Sequence, residues 1–519
     1  MAITYPTGFK RAIIVATAIS AAIMELIDTT IVNVALNQMA GSLGATIEDI
    51  AWVVTSYAIA NVIIIPMTGF LAEYFGRKNY YLTSIVIFTI ASYFCGQSTD
   101  LWELVFWRFI QGVGGGALLS TSQAIIFDAF PPEKRGIASG IFAMGIIMGP
   151  TFGPVLGGII VEDYHWANIF LVNIPVGILA AVLTMLYIDK KEGEGQKKDQ
   201  IKIDYIGIIL LMVGIGSLQF MLEKGESEDW FESRLIVMIA ITATIGMVGF
   251  IWRELTTDHP VVDLRVMAKG TLGVTTIFSF VAGIGLFTAM FVYPVMVQRI
   301  NGYTPTMTGL SLLWPTLIGV FMMPIVGRRL SAGASPLPFI ITGILFMIAF
   351  GFYAGTFDDN TSQWQFFPAH MMRVIGISLL QLPLTNQAVA GLTPKEYPNA
   401  IAINNMIRQL GGAFGVALAN NFVAIRYAQH RSDLVANLYE GNPLLTQRLQ
   451  AMGGATMRAY RMLELAVDKQ AYLLSYLDTF RVVGLFFILI LPLTIVLRQK
   501  KKKSAEEIAA AAAAMAEAH

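Results

Sequence analysis

The feature that most constrains this chain is a series of fourteen apolar segments, each about as long as a bilayer-spanning helix. A hydrocarbon core about 30 Å thick is crossed by about 20 apolar residues in a helix. The segments are 12–34, 49–71, 79–98, 101–124, 136–160, 168–188, 203–222, 234–252, 272–296, 306–326, 337–356, 365–389, 399–421 and 479–498. Because lipid cannot hydrogen-bond to backbone groups, each segment is predicted to be a helix.

Composition supports a membrane protein and excludes several other classes. Only 13% of the 519 residues are charged, about half the usual share in soluble domains. Lys plus Arg and Asp plus Glu are both 35, so the basic excess of a nucleic-acid-binding protein is absent. The single cysteine, Cys95, excludes a disulfide framework and a thiolate metal cage.

The positions of Lys and Arg predict the orientation. With the N-terminus in the cytoplasm, 22 of them fall in cytoplasmic segments and three in the short outer loops. Cytoplasmic loops of membrane proteins carry such an excess, whereas long loops cross largely regardless of charge. The asymmetry predicts fourteen spans with both termini cytoplasmic.

Two motifs occupy the first membrane segments. The loop after the second segment places two glycines around an acid and two bases, which predicts a tight turn in which the acid faces the bases. Its residues are Gly69, Glu73, Gly76, Arg77 and Lys78. An ordinary charged loop at the membrane surface would have a similar sequence. Arg108 and the glycine-rich run 112–116 follow on the fourth segment and predict a buried arginine beside a closely packed helix face.

A glycine stripe runs along the fifth segment. Glycines four residues apart lie on one helix face, and two prolines soften the helix beside them. The residues are Gly145, Gly149, Pro150, Gly153, Pro154, Gly157 and Gly158. The stripe predicts two helices that touch and rock against each other, although tight packing alone would need the same pattern.

Together, these three patterns resemble the major facilitator superfamily, and the glycine stripe is similar to its antiporter motif. The sequence Leu-Ile-Asp-Thr-Thr-Ile-Val-Asn-Val-Ala-Leu at 26–36 resembles the first-span signature of the fourteen-span drug:proton antiporters. Gly-Ser-Leu-Gln-Phe-Met-Leu at 216–222, Asp-Trp-Phe at 229–231 and Pro-Val-Val-Asp-Leu at 260–264 are similar to the EmrB and QacA branch, EmrB above all. The resemblance covers residues 10–498.

The resemblance implies an all-α membrane protein with the major facilitator fold, two six-helix halves plus two inserted helices. The implied divisions are 1–188 for the first half, 189–202 for a cytoplasmic linker, 203–252 for the inserted helices, 253–270 for a second cytoplasmic linker, 271–498 for the second half with 422–478 as a long periplasmic helical loop, and 499–519 for a cytoplasmic tail. Glu73 stands where the family usually has Asp, and Glu25 is an additional acid. Residues 327–329, the counterpart of the charged loop, lack an acid.

Buried charges are the candidate proton-coupling groups. Glu25 and Asp28 share one face of the first segment, and Arg108 enters the bilayer to a similar depth. Inserting an ionised side chain at mid-bilayer costs about 2.5–3.5 kcal/mol of free energy on insertion scales. We therefore expect these buried charges to have a functional role. A proton switch, with Asp28 the stronger candidate, and a static ion pair between the first and fourth segments are both compatible with the sequence.

Polar residues deep in both halves are candidates for a substrate cavity. They are Asn61, Gln111, Gln123, Arg373, Gln381, Asn386, Asn404, Asn405 and Arg408. For Arg373 and Arg408, hydrogen bonds to carbonyl groups and helix ends are an equally good alternative to contact with a substrate. The 25 Met and 32 Phe residues suit an adaptable apolar pocket.

The long segment 422–478 contains Asn442-Pro443 between two amphipathic helical stretches. By resemblance it is a periplasmic helical hairpin, and a periplasmic adaptor with an outer-membrane channel would complete the export path. A cap on the outer membrane surface is the alternative.

The sequence predicts a proton-driven exporter of amphipathic or lipophilic drugs in the bacterial inner membrane. Five scattered histidines have no metal-ligand spacing, and no phosphate-binding loop is present. We therefore expect no metal, no cofactor and no enzymatic activity. A stand-alone exporter, a proton-coupled importer, which the glycine stripe disfavours, and a non-transporting sensor or scaffold are the alternatives.

Overall fold

The computed structural model describes residues 5–131, 134–190, 203–393, 396–439 and 441–497, and these contain helices and no strand. A helix coincides with each of the fourteen apolar segments. The helices are α1 Gly8–Leu43, α2 Trp52–Phe75, α3 Arg77–Gln97, α4 Leu101–Asp128, α5 Arg135–Asp163, α6 Asn173–Tyr187, α7 Tyr205–Lys224, α8 Arg234–Thr256, α9 Leu272–Ile300, α10 Pro305–Ser331, α11 Pro336–Ala354, α12 Gln363–Ala388, α13 Tyr397–Ala436 and α14 Met457–Ile490. Most of the predicted linker 189–202 and the whole predicted tail 499–519 lie outside the described residues.

Ten of these helices are long and apolar enough to cross a membrane. The other four are α3, α4, α12 and α13. Three of them, α4, α12 and α13, hold the buried arginines of the protein interior, which lower their mean hydropathy. The protein is thus a multi-pass membrane protein whose least apolar helices include those around its polar centre.

Local sequence signals set the helix boundaries. The α2–α3 turn is the single residue Gly76, whose φ of 80° is in the region that favours glycine. Asp100 caps α4 by accepting hydrogen bonds from the backbone N–H groups of Trp102 and Glu103. These ends agree closely with the predicted ones.

Two groups of helices form two apolar cores. Helices α1 to α6 pack around residues such as Phe88 and Ile126, and α9 to α14 pack around residues such as Phe278 and Phe480. The two groups meet along α5 and α10, where Gly136 faces the backbone of Gly327. Close backbone approach of this kind requires residues without a Cβ.

The inserted helices α7 and α8 lie beside the second contact between the halves. Ile215 of α7 packs in one apolar cluster with Val62 of α2 and Ile403 of α13. The outer face of α8 exposes apolar side chains including Ile245 and Val248, as a lipid-facing helix requires. The insert therefore covers the α2–α13 seam from the lipid side.

An ion pair joins the linker that follows the inserted helices to the second half. Lys269 donates to Glu396 at 2.6 Å, just before α13 begins. This hydrogen bond, together with those from Thr393, lowers the pKa of the Glu396 carboxyl to about 2. Glu396 is therefore ionised throughout the physiological pH range.

The described residues of the long segment 422–478 form a helical hairpin, the arrangement that the family resemblance implies. Helix α13 continues to Ala436 and α14 begins at Met457, with a short helix Pro443–Ala451 between them. Asn442 caps that short helix through the N–H of Leu444. Ion pairs from Arg426 to Asp478 and from Arg431 to Asp468 join the two long helices.

Candidate functional site: a buried polar centre

Asp28 is the most completely satisfied buried charge in the first half. Arg108 donates to its Oδ2 at 2.6 Å, and Gln111 and Asn173 donate to its Oδ1 at 2.9 and 2.8 Å. The Asp28 side chain is fully buried. All three donors belong to α4 and α6, in the same half as Asp28, so motion of one half against the other leaves these bonds intact.

Arg108 is held just as firmly. Its Nε donates to the carbonyl of Val53 at 3.2 Å, and its guanidinium lies 4.1 Å from the centroid of the Tyr57 ring. Both contacts are to α2, so Arg108 ties α1, α2 and α4 together. The predicted pairing of Asp28 with Arg108 is present.

Glu25 has a different environment, although it lies less than one helical turn from Asp28. Its Oε1 accepts a hydrogen bond from Asn61 at 3.1 Å, and its Oε2 has no partner among the described residues. Gln409 of α13 donates to the side-chain oxygen of Asn61 at 3.0 Å. The hydrogen bonds of Glu25 therefore extend through α2 into the other half, and they depend on how the halves meet.

A second polar contact between the halves lies on α13. Asn405 donates to Ser120 at 3.1 Å and to Gln123 at 3.4 Å, both on α4. Arg408 donates to Asn405 at 3.0 Å. Arg408 thus supports an inter-half hydrogen bond.

Arg373 on α12 has no such support. It is 2% exposed, its Nε is unpartnered, and it makes no hydrogen bond or ion pair with any residue that the structure describes. It lines a small inter-half cavity with Ile147 of α5 and Met290 of α9. Of the two predicted cavity arginines, Arg373 is the one without a hydrogen-bond acceptor among the described residues, whereas Arg408 donates to the side chain of Asn405.

The other predicted cavity residues divide between several roles. Gln111 belongs to the Asp28 network rather than to the cavity. Asn386 accepts from Ser139 at 2.6 Å across the α5–α12 contact, and Asn404 accepts from Ser279 within the second half. The side-chain nitrogen of buried Gln381 has no partner in the described ranges.

The glycine stripe of α5 packs against α1, the helix that carries the acids. A Cβ at Gly149 would collide with the Cβ of Leu26, and one at Gly153 would collide with the side chain of Thr30. Gly158 instead faces the backbone of Thr306 on α10. The stripe glycines at 145, 149, 153 and 157 therefore make an intra-half contact, whereas Gly158 belongs to the inter-half contact.

We expect Gly149→Ala to destabilise the protein by about 1–3 kcal/mol, the usual cost of overpacking. The Cβ of Leu26 is fixed to its backbone, so α1 and α5 must separate to admit the new methyl group. The melting temperature in mild detergent measures the effect. Gly41→Ala on α1 is the matched control, because a Cβ there meets nothing within 4 Å. Equal melting of the two variants would contradict the packing.

The charged α2–α3 loop differs from its sequence-based interpretation. Arg77 forms its ion pair with Asp128 at the end of α4, and Lys78 donates to the carbonyl of Met185 at 2.7 Å. Glu73 is exposed and forms no ion pair within the described ranges. The prediction that Glu73 faces the two bases is therefore wrong in this state, since the bases reach neighbouring helices instead.

Sequence reasoning missed three members of the polar centre. Ser92 accepts hydrogen bonds from Gln111 and Asn173, and Gln409 completes the chain to Glu25. Asn173 had a visible signal, because it is the only amide within the apolar run 169–183. Ser92 and Gln409 carry no comparable signal.

Comparison with known proteins agrees with this architecture. Residues 18–416 match the family model of the Major Facilitator Superfamily. Multidrug export protein EmrB of Escherichia coli (strain K12) is 32% identical over 496 residues, which cover 93% of this chain and 95% of that protein. Fatty acid resistance protein FarB of Neisseria gonorrhoeae is 32% identical over 490 residues, covering 91% and 93%.

Solved structures agree on the fold. The human organic anion transporter MFSD10 superimposes with a TM-score of 0.59 at 12% identity, covering 92% of this chain and 99% of that one. An inward-facing bacterial homologue of the human lysosomal transporter Spinster gives a TM-score of 0.53 at 15% identity, covering 96% and 100%. From the family match, the near-complete alignment with EmrB and the shared fold, it follows that this chain is a transporter of the major facilitator superfamily, in its EmrB-like branch.

Proposed function

We propose that the protein is a proton-coupled exporter of amphipathic or lipophilic compounds that works by alternating access. The names of its relatives, a multidrug export protein and a fatty acid resistance protein, support export of such compounds. The proposed topology has fourteen spans with both termini in the cytoplasm, and the proposed location is the bacterial inner membrane. The energy source is the proton gradient, with no cofactor.

The hydrogen-bonded chain Glu25–Asn61–Gln409 is the observation that carries the coupling mechanism. A carboxylate favours its charged form where it accepts hydrogen bonds and its neutral form where it loses them in an apolar site. When the halves separate at the α2–α13 seam, Gln409 leaves Asn61 and water reaches Glu25. The carboxyl then exchanges its proton on one side of the membrane only.

Asp28 and Arg108 have the complementary role in this mechanism. Their bonds lie within one half, so they hold α1 in a fixed position while Glu25 changes its surroundings. This assignment moves the proton-carrying role from Asp28 to Glu25 and gives Asp28 the role of the static ion pair.

The driving force is sufficient for useful export. Moving one charge through the field provides about 2.3 kcal/mol per 100 mV, and about 1.4 kcal/mol corresponds to a tenfold concentration ratio. One exchanged proton therefore supports a drug gradient of more than tenfold.

Everted membrane vesicles loaded with a pH-sensitive dye test the proposed function. In an acidified lumen, adding an exported compound should cause proton efflux that depends on this protein. Flow coupled in the opposite sense would identify an importer, and no coupled flow would identify a sensor or scaffold.

We further propose that the outer hairpin engages a periplasmic adaptor, which with an outer-membrane channel makes a tripartite pump. The hairpin supports this proposal because its helices α13 and α14 extend as one ion-paired unit well beyond the apolar segments 399–421 and 479–498. A cap over the outer opening and a stand-alone exporter are the competing interpretations.

Deleting 430–470 distinguishes docking from capping. The rings of Tyr427 and Tyr472 stack with centroids 4.0 Å apart, so a short Gly-Ser linker can rejoin the helices beyond them. We expect the deletion to preserve transport in everted vesicles and to abolish drug resistance in whole cells. Equal loss in both assays would support the cap, and full resistance in cells would support a stand-alone exporter.

A further inference from the structure

The guanidinium of Arg373 is a buried cation without a counter-charge. The nearest ionisable side chain on α12 is that of His370, one turn earlier. Both of its ring nitrogens are also without a hydrogen-bond partner within the described residues. The His370 ring packs edge-on against Tyr293 at 4.1 Å. No group on α12 therefore balances the charge of Arg373.

The neighbouring helices of the second half provide no acid either. Helices α9 to α12 contain no Asp and no Glu. The two buried acids of α1 bond within the first half instead, Asp28 to Arg108 and Glu25 to Asn61. An arginine buried in this way would be stabilised by an anion that accepts its hydrogen bonds.

The cavity beside Arg373 has the character of a subsite for an amphipathic molecule. Its walls are apolar side chains from both halves, and one hydroxyl pair, Thr151 with Thr316 at 3.0 Å, crosses it. The walls are Ile146 and Ile147 of α5, Leu286 and Met290 of α9, and Val374 and Ile377 of α12. The cavity volume is about 20 Å³, and separation of α5 from α9 and α12 would enlarge it.

We propose that Arg373 binds the anionic head group of an amphipathic substrate, a carboxylate or sulfonate attached to an apolar body. This inference rests on the proposed export function and names the substrate class that its second-half site takes. Guanidinium binds such oxyanions through two parallel hydrogen bonds, and the apolar body would lie against Ile147 and Met290. A lipophilic cation would be repelled from this position.

Direct binding tests the proposal without a proton gradient. The full-length protein in nanodiscs is titrated with 11-(dansylamino)undecanoate and, separately, with its primary amide, and binding is followed by dansyl fluorescence. The wild type should bind the carboxylate about tenfold or more tightly than the amide, as charge-assisted hydrogen bonds predict. Arg373→Gln should remove that preference, and Arg373→Lys should keep part of it.

The exposed Arg234 on α8 supplies the matched control, Arg234→Gln, which should keep the wild-type preference. The proposal is overturned if the wild type binds acid and amide equally or if Arg373→Gln retains the preference. Where Arg373→Gln does not fold, equal binding of acid and amide by the wild type still overturns the proposal, and a reduced preference in Arg373→Lys still assigns the anion to this side chain. Because the assay measures binding alone, its failure would leave proton-coupled export intact.

Discussion

Replacing Glu25 by Gln should abolish gradient-driven export while the protein continues to exchange drug for drug. The amide has the shape of the protonated acid and keeps an oxygen for Asn61, whose side chain lies 3.1 Å away. It cannot release a proton. The carrier therefore still changes its access, but the proton gradient no longer drives it.

Two transport assays in proteoliposomes separate these effects. Accumulation under an imposed pH gradient should fall to the level of empty liposomes in Glu25→Gln, and counterflow of labelled against unlabelled drug should persist. Glu228→Gln, in the exposed loop between α7 and α8, is the matched control and should behave as wild type in both. Retained gradient-driven accumulation in Glu25→Gln would remove Glu25 from the mechanism.

Replacing Asp28 by Asn should destabilise the protein by about 3–5 kcal/mol, the usual cost of removing one partner from a buried ion pair. The three groups that face Asp28 are all donors, from Arg108, Gln111 and Asn173. The new amide nitrogen would point a fourth donor at them, and the Arg108 charge would lose its counter-ion.

Melting in mild detergent measures this loss, and a double variant tests its cause. Asp28→Asn combined with Arg108→Gln should recover part of the melting temperature, because no charge is then left unpaired. If Asp28→Asn melts as the wild type yet fails to couple, Asp28 rather than Glu25 carries the proton.

The sequence was most informative where a pattern was long or chemically costly. Fourteen apolar runs predicted fourteen helices because a spanning helix must be apolar along most of its length. The pairing of Asp28 with Arg108 was predictable because two buried charges of opposite sign on neighbouring helices stabilise each other. The two helical stretches of 422–478 were predictable from the turn at Asn442-Pro443 and their amphipathic faces, and their pairing as a hairpin came from the family resemblance.

The sequence could not distinguish the surroundings of Glu25 from those of Asp28. The two acids share one face of α1. Only the packing of other helices gives Asp28 three hydrogen-bond donors and leaves Oε2 of Glu25 without a partner among the described residues. The partner of Arg77 was missed for a similar reason. Asp128 is 51 residues away along the chain, whereas sequence reasoning favours the nearby Glu73.

Proton release on drug binding tests the central claim most directly. Purified protein in nanodiscs, in weakly buffered solution with a pH-sensitive dye, is mixed with an exported compound near neutral pH. The account predicts a stoichiometric burst of protons from the wild type, the same burst from Glu228→Gln, and none from Glu25→Gln although that variant binds the compound. A full burst from Glu25→Gln would contradict it.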